Sequence, residues 1–290
     1  MARKKRAPLK YLMIAPALIV ILVVVIYPLV YSLYLSFNSL LLTTPGKQNM
    51  EWIGLGNYID LFHDDLFYTS LGNTAAFTIG AVVLEFSLGL LLALIVNRGI
   101  KFERTITSVL LIPMMVASVA AGLMWRYLLH EQLGVVNAVI QWVGLTPLNF
   151  RSDPHLAMPT VIACDVWQWT PFMFLLMLAG LQSLPRAPFE AATIDGASSP
   201  QIFRHITLQL MRPVILIALT LRTIDAIKTF DVIYTLTRGG PGTLTEVISF
   251  YIYRLGFWFY NLGKAAAYSY VLLIIISVLC YVMIRQLRQR

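Results

Sequence analysis

Six mostly apolar runs, each about 20 residues or longer, leave this chain little choice of architecture. They fall at 11–38, 73–97, 106–129, 156–182, 213–236 and 265–284. About 20 apolar residues in helical form are what crossing the hydrocarbon core requires. Within lipid every backbone N–H and C=O must be paired, so a spanning element is either a helix or a strand of a closed barrel. Barrel strands would alternate in polarity over about ten residues, and these runs do not. Only 12% of the residues are charged, against about 25% in soluble domains. The expectation is an all-α polytopic membrane protein with six transmembrane helices and one membrane domain over 1–290.

Basic residues orient the spans. Arg3, Lys4, Lys5, Arg6 and Lys10 lie at the start, and Arg98, Lys101 and Arg104 follow the second run. Arg186, Arg204 and Arg212 follow the fourth run, and Arg285, Arg288 and Arg290 follow the last. These fourteen share one side, and only Lys47, Arg151, Arg238, Arg254 and Lys264 fall on the other. The positive-inside rule then places both termini and the 185–212 loop in the cytoplasm. The net charge of +8 is therefore topological and needs no nucleic-acid partner. The first run is too long for a signal-peptide core and lacks a small-residue cleavage site, so it is expected to be retained as a span.

Several chemistries are excluded. Cys164 and Cys280 fall within runs and form no CxxC pair. His63, His130, His155 and His205 are scattered over both sides without metal-binding spacing. There is no GxxxxGK[ST] phosphate loop, so any nucleotide hydrolysis belongs to another chain.

Charges inside the runs need a reason, because each costs about 2.5–3.5 kcal/mol on insertion scales. Glu85 stands alone in the second run, where it either lines a pathway or bonds a neighbouring helix. The fifth run carries Arg222, Asp225, Lys228 and Asp231 at successive i, i+3 steps, so neighbours can pair along one helix surface. Such a neutral, hydrogen-bonding surface suits an uncharged hydroxylated ligand, and an ion-pair network that fixes packing is the alternative. The fourth run contains Asp165-Val166-Trp167-Gln168-Trp169-Thr170-Pro171. Its indoles offer flat faces for a sugar ring, but residues at i and i+2 cannot share a helix face. Pro171 frees backbone groups one turn earlier and can kink the span.

Between the fourth and fifth runs lies Glu190-Ala191-Ala192-Thr193-Ile194-Asp195-Gly196-Ala197. The start favours helix, and Gly196 supplies a turn with φ > 0. A second short helix, about 200–210, is expected to carry Ile202, Phe203 and Ile206 on one face and to stop at Pro213. Outside, Trp52-Ile53-Gly54-Leu55-Gly56-Asn57-Tyr58 reads as an aromatic interfacial stretch. After the fifth run, Thr237-Arg238-Gly239-Gly240-Pro241 ends a helix sharply.

In this order these segments resemble the permease subunits of the maltose/lactose/glycerol-phosphate group of binding-protein-dependent sugar importers. The Glu190 segment is similar to that family's EAA loop, although Gln209 stands where the family usually has a proline. The resemblance covers roughly 11–284 and implies a type I ABC importer permease of the prokaryotic inner membrane, not itself catalytic. It also implies a second homologous permease, two ATPase subunits that bind ATP and Mg, and an extracytoplasmic solute-binding protein. Coupling to the ATPases would involve Glu190, Ala191, Ala192, Asp195, Gly196, Phe203 and Ile206. The family's sugar contacts, carried onto this chain, fall on Ser118, Asp165, Gln168, Trp169, Phe172, Arg222, Asp225, Ala226 and Thr229. Arg222 and Asp225 are more polar than the family pattern, so the resemblance does not imply the same sugar. A phosphorylated solute such as glycerol phosphate is the alternative within the family. A secondary carrier is the alternative outside it, though the sequence shows no repeated halves of the kind such carriers often have.

Overall fold

The computed structural model describes residues 7–42 and 50–288, with side chains for 13–42 and 50–286. Arg3, Lys4, Lys5, Arg6, Lys47 and Arg290 lie outside the described residues, as do the side chains of Lys10 and Arg288. The chain divides into two compact units. One comprises Met1–Asp64 with Ile252–Leu273, the other Asp65–Tyr251 with Ile274–Arg290.

In the first unit, Ala7–Ile21, a wide π turn at Leu22–Ile26 and Tyr27–Ser36 follow one another as helix. No residue of the π turn is buried, as suits an apolar surface that the bilayer can cover. The helix ends in a two-residue antiparallel ribbon, Asn38 opposite Trp52 and Ser39 opposite Glu51. Asn57 secures this end by donating to the Ser36 and Asn38 carbonyls, each at 2.9 Å. The expected interfacial aromatics gather there, with the Phe37 and Trp52 rings stacked 5.5 Å apart.

The second unit is built on a long crossing. Asp65–Val96, 32 residues, packs along Ala157–Gln182, and Leu208–Ile227 packs against both. Gly89 permits the approach: a Cβ there would lie 2.6 Å from that of Met173. Ala157–Gln182 stays helical through Pro171.

Two of the six expected spans are not single straight helices. Within 106–129, Glu103–Met115 and Ser118–Leu128 meet at 92°. Pro113 begins a short 3-10 turn, and Val116 and Ala117 are extended, with ψ of 131° and 137°. The 213–236 run is divided as well. Leu208–Ile227 ends at Lys228, and a separate helix, Asp231–Leu236, follows. The first of these is 20 residues, or about 30 Å, but Arg212, Arg222 and Asp225 interrupt its apolar surface. Among the described residues, Met13–Ser36, Asp65–Val96, Ala157–Gln182 and Leu262–Gln286 are each long and apolar enough to span, and the bent pair makes up to five.

The short Asp231–Leu236 helix packs on Ser118–Leu128. Gly122 makes this possible, since a Cβ there would collide with the Thr235 hydroxyl. After Thr237 the chain turns through Arg238 and Gly239 with φ of 53° and 83°; the left-handed geometry was expected of the glycine and not of Arg238. Thr245 pins the loop by donating to the Gly240 carbonyl at 2.7 Å. Asn73 ties it to the long helix through the Thr243 and Glu246 carbonyls at 2.8 and 3.0 Å.

Candidate functional site

Arg222 enters the second unit from Leu208–Ile227 and meets two carboxylates supplied by other helices. Its Nε and Nη2 donate to the two Glu85 oxygens at 2.6 and 2.8 Å, and Nη2 also donates to Asp165. The three residues are 1%, 0% and 3% exposed. A planar guanidinium with five N–H donors suits this bidentate grip. The expected Arg222–Asp225 pairing is therefore not the principal one. Asp225 lies on the exposed side of the helix and pairs with Lys228 at 3.1 Å, both about half exposed. Glu85 thus bonds a neighbouring helix and does not line the adjoining cavity.

That cavity, about 300 Å³, is lined by Ser118, Asp165, Gln168, Trp169, Arg222, Asp225, Lys228, Thr229, Phe230, Asp231 and Val232. Seven of the nine positions inferred from the family are among them. Phe172 and Ala226 are not: Phe172 meets the edge of Trp169, centroids 6.4 Å apart, and Ala226 is buried. Sequence reasoning missed Phe230 and Val232 as lining residues. They sit at the break between helices, which the charges interrupting the 213–236 run did not locate. Lys228 and Asp231 were expected, with Arg222 and Asp225, on a hydrogen-bonding surface suited to a ligand, with structural pairing as the alternative.

The arrangement within the cavity is specific. The Arg222 guanidinium lies 5.4 Å from the Trp169 ring centre, within cation–π range. The Gln168 amide donates to the Val116 carbonyl at 2.8 Å. It thereby satisfies an acceptor that the bend in the 103–128 segment removes from helical bonding. Trp167 turns away from Trp169 and meets Trp125 edge-on at 5.6 Å, as the i, i+2 spacing required.

The 185–212 segment forms a second feature. Ala187–Ile194 is helical, and Gly196 turns the chain at φ 73° with open space around its α-carbon. Ser198 starts the next helix, its N–H and hydroxyl both donating to Gln201 Oε1 at 2.7 and 2.8 Å. Contrary to expectation this helix does not stop before Pro213. Ser199–Ile202 passes through a π turn at Phe203–Thr207 into Leu208–Ile227, which contains Pro213. The proline costs one backbone bond, whereas packing against two long helices extends along the whole element. Glu190 lines a cavity of about 590 Å³ with Arg186, Phe189, Thr207 and the ends of both long helices. Ala192 is buried, Ala191 and Asp195 are exposed, and Phe203 and Ile206 are half-buried. Ile194, at 86% exposure, is the most exposed large apolar side chain of this segment.

A helical membrane subunit with a broken span around a polar cavity, and a polar two-helix loop at the ends of its long helices, defines a transporter component. The chain belongs to the family described as the binding-protein-dependent transport system inner membrane component, whose model matches residues 85–289. It is 39% identical to the trehalose/maltose transport system permease protein MalF of Thermococcus litoralis, covering 97% of this chain and 91% of that one. It is 36% identical to the sulfoquinovosyl glycerol transport system permease protein SmoG of Agrobacterium fabrum, with the same coverage. Its fold matches a crystal structure of a bacterial ABC transporter that imports the acidic polysaccharide alginate. The TM-score is 0.85 at 26% identity, covering 98% of this chain and 96% of that one. A second match, the alginate transporter in complex with alginate pentasaccharide-bound periplasmic protein, has a TM-score of 0.83 at 27% identity over the same shares. The fold is thus that of a type I ABC importer permease.

Proposed function

We propose that this chain is one permease subunit of an ATP-driven importer for a neutral sugar or oligosaccharide, handed over by an extracytoplasmic binding protein. A second permease of similar fold would complete the pathway, and two ATPase subunits would supply ATP hydrolysis. The observation that carries the solute class is the state of the cavity's cations. Arg222 is committed to Glu85 and Asp165, and Lys228 to Asp225. The lining holds three carboxylates, Asp165, Asp225 and Asp231, against these two cations, which disfavours an anionic solute. An uncharged hydroxylated ring could stack on Trp169 and exchange hydrogen bonds with Ser118, Gln168, Asp225 and Thr229 without breaking an ion pair. The names of the relatives favour a saccharide; trehalose and maltose are uncharged whereas sulfoquinovosyl glycerol and alginate are acidic, so the choice of a neutral solute rests on the cavity's charges alone.

In this reading both termini and the 185–212 loop face the cytoplasm, and the Gly239-Gly240-Pro241 turn faces outward. The loop around Glu190 and Gly196 receives the motion of the ATPases. It passes that motion directly into Leu208–Ile227, because the two helical stretches are continuous. Arg222, on that same helix, would carry the motion to the cavity. This is coupling between distant sites through one two-state element.

The test is uptake in proteoliposomes holding the assembled transporter and its loaded binding protein. Trp169→Ala should lower the transport rate or re-rank the sugars accepted while binding-protein stimulation of ATP hydrolysis partly remains. Wild-type rates and substrate range in a normally assembled variant would place the pocket elsewhere.

A further inference from the structure

A second concave surface, separate from the central cavity, gathers three arginines. Arg126, Arg151 and Arg238 line a cavity of about 270 Å³ together with Ser152, Thr237 and Pro241, among others, and no lining residue is acidic. The acids closest in sequence have other partners. Glu131 accepts the Ser152 hydroxyl at 2.8 Å, and Asp153 accepts the His155 N–H at 2.7 Å. Arg126 donates to the Thr235 carbonyl at 3.3 Å. The Arg151 Nε is buried with no hydrogen-bond partner among the described residues. Three arginines lining one small surface raise its positive potential, which an anion would offset. Their planar forks match a carboxylate.

Position selects the source of that carboxylate. The helix Asp231–Leu236 joins the two cavities: Asp231 and Val232 at its start line the central one, and Leu236 at its end lines the arginine one. Six residues of helix span about 9 Å. The arginine cavity therefore opens at the outer mouth of the proposed pathway, beside the Gly239-Gly240-Pro241 turn. This is where a delivering protein must sit to release solute inward.

We propose that Arg151 and Arg238, together with Arg126, receive an acidic side chain of the solute-binding protein when it docks. The inference rests on the importer reading above. Docking there bears directly on the Asp231–Leu236 helix, and so on the wall of the solute cavity.

The experiment uses the assembled transporter in nanodiscs and the binding protein that stimulates the wild-type complex. Copurification of the ATPases reports assembly of each variant. Arg151→Gln with Arg238→Gln should raise the binding-protein concentration for half-maximal ATPase stimulation by about 10-fold or more, the scale of a lost close charge pair. It should also flatten the salt dependence of that concentration. Arg238→Lys, which keeps the charge and loses the fork, should fall between. A lysine replacing the matching acid on the binding protein should weaken the wild-type complex and add little in the double variant. An assembled double variant with unchanged half-saturation would overturn the proposal. So would a difference from wild type that vanishes in nanodiscs of phosphatidylcholine alone, which would assign the anion to a lipid headgroup. A changed solute range at unchanged half-saturation would assign it to the solute and would also overturn the proposal. A wild-type complex that no loaded binding protein stimulates would overturn the importer reading, and this inference with it.

Discussion

Replacing Arg222 by methionine would leave Glu85 and Asp165, both essentially without solvent access, facing each other with no cation between them. The wild-type side chain supplies two hydrogen bonds to Glu85 and one to Asp165, which join three helices drawn from distant parts of the sequence. Removing one partner of a buried ion pair typically costs about 3–5 kcal/mol, because the remaining charge is stranded. Two carboxylates are stranded here, so Arg222→Met should lie at the upper end of that range. The triple variant Glu85→Gln, Asp165→Asn, Arg222→Met removes every charge together. It should recover most of the loss, since a neutral replacement of a whole buried network is often close to neutral in free energy. Reversible unfolding of the purified protein in mixed detergent–SDS micelles measures both differences. An Arg222→Met variant within about 0.5 kcal/mol of wild type, the usual bound for inconsequential substitutions, would refute the reasoning. A triple variant no more stable than the single one would refute it too. The triple variant also separates structure from function. If it is stable and assembled yet transports poorly, the charges serve the pathway as well as the packing.

Three further outcomes are expected. Glu190→Ala and Gly196→Leu should allow membrane insertion but lower binding-protein-stimulated ATP hydrolysis; at Gly196 the strain comes from φ 73° and not from crowding, and costs about 1–2 kcal/mol. Normal stimulated turnover in both would refute the coupling role. Gln168→Leu orphans the Val116 carbonyl bonded at 2.8 Å and should destabilise by about 1–3 kcal/mol, with faster amide exchange around 116–118 as the check. In sealed cells a cysteine replacing the exposed Leu244 should react with an impermeant maleimide, whereas one replacing the exposed Ser198 should not; the reverse pattern would invert the topology.

Class and motif were legible because the bilayer is a severe solvent. A segment that crosses it must be apolar for about 20 residues, so the spans at 11–38, 73–97, 156–182 and 265–284 stand out in composition alone and correspond to uninterrupted helices. The Glu190–Gly196 segment was equally plain, since its helix and left-handed turn depend on local residue types. The charges at 85, 165 and 222 announced themselves by their cost. Their partnership did not, because Arg222 lies 137 and 57 positions from the acids it meets, and nearer Asp225 was the only candidate that helical spacing could name. Hydropathy was blind to the break at Val116–Ala117, which lies within an apolar run; at Lys228–Phe230 four charges weakened the run without placing the break. Packing decided them: Gln168 pays for the first by capping a freed carbonyl, and Gly122 lets the short helix after the second seat against its neighbour. Local chemistry thus determined which segments enter the membrane and where the loop turns. Only the tertiary structure, which brings distant side chains within hydrogen-bond reach, decided what encloses the cavity and which charges neutralise one another.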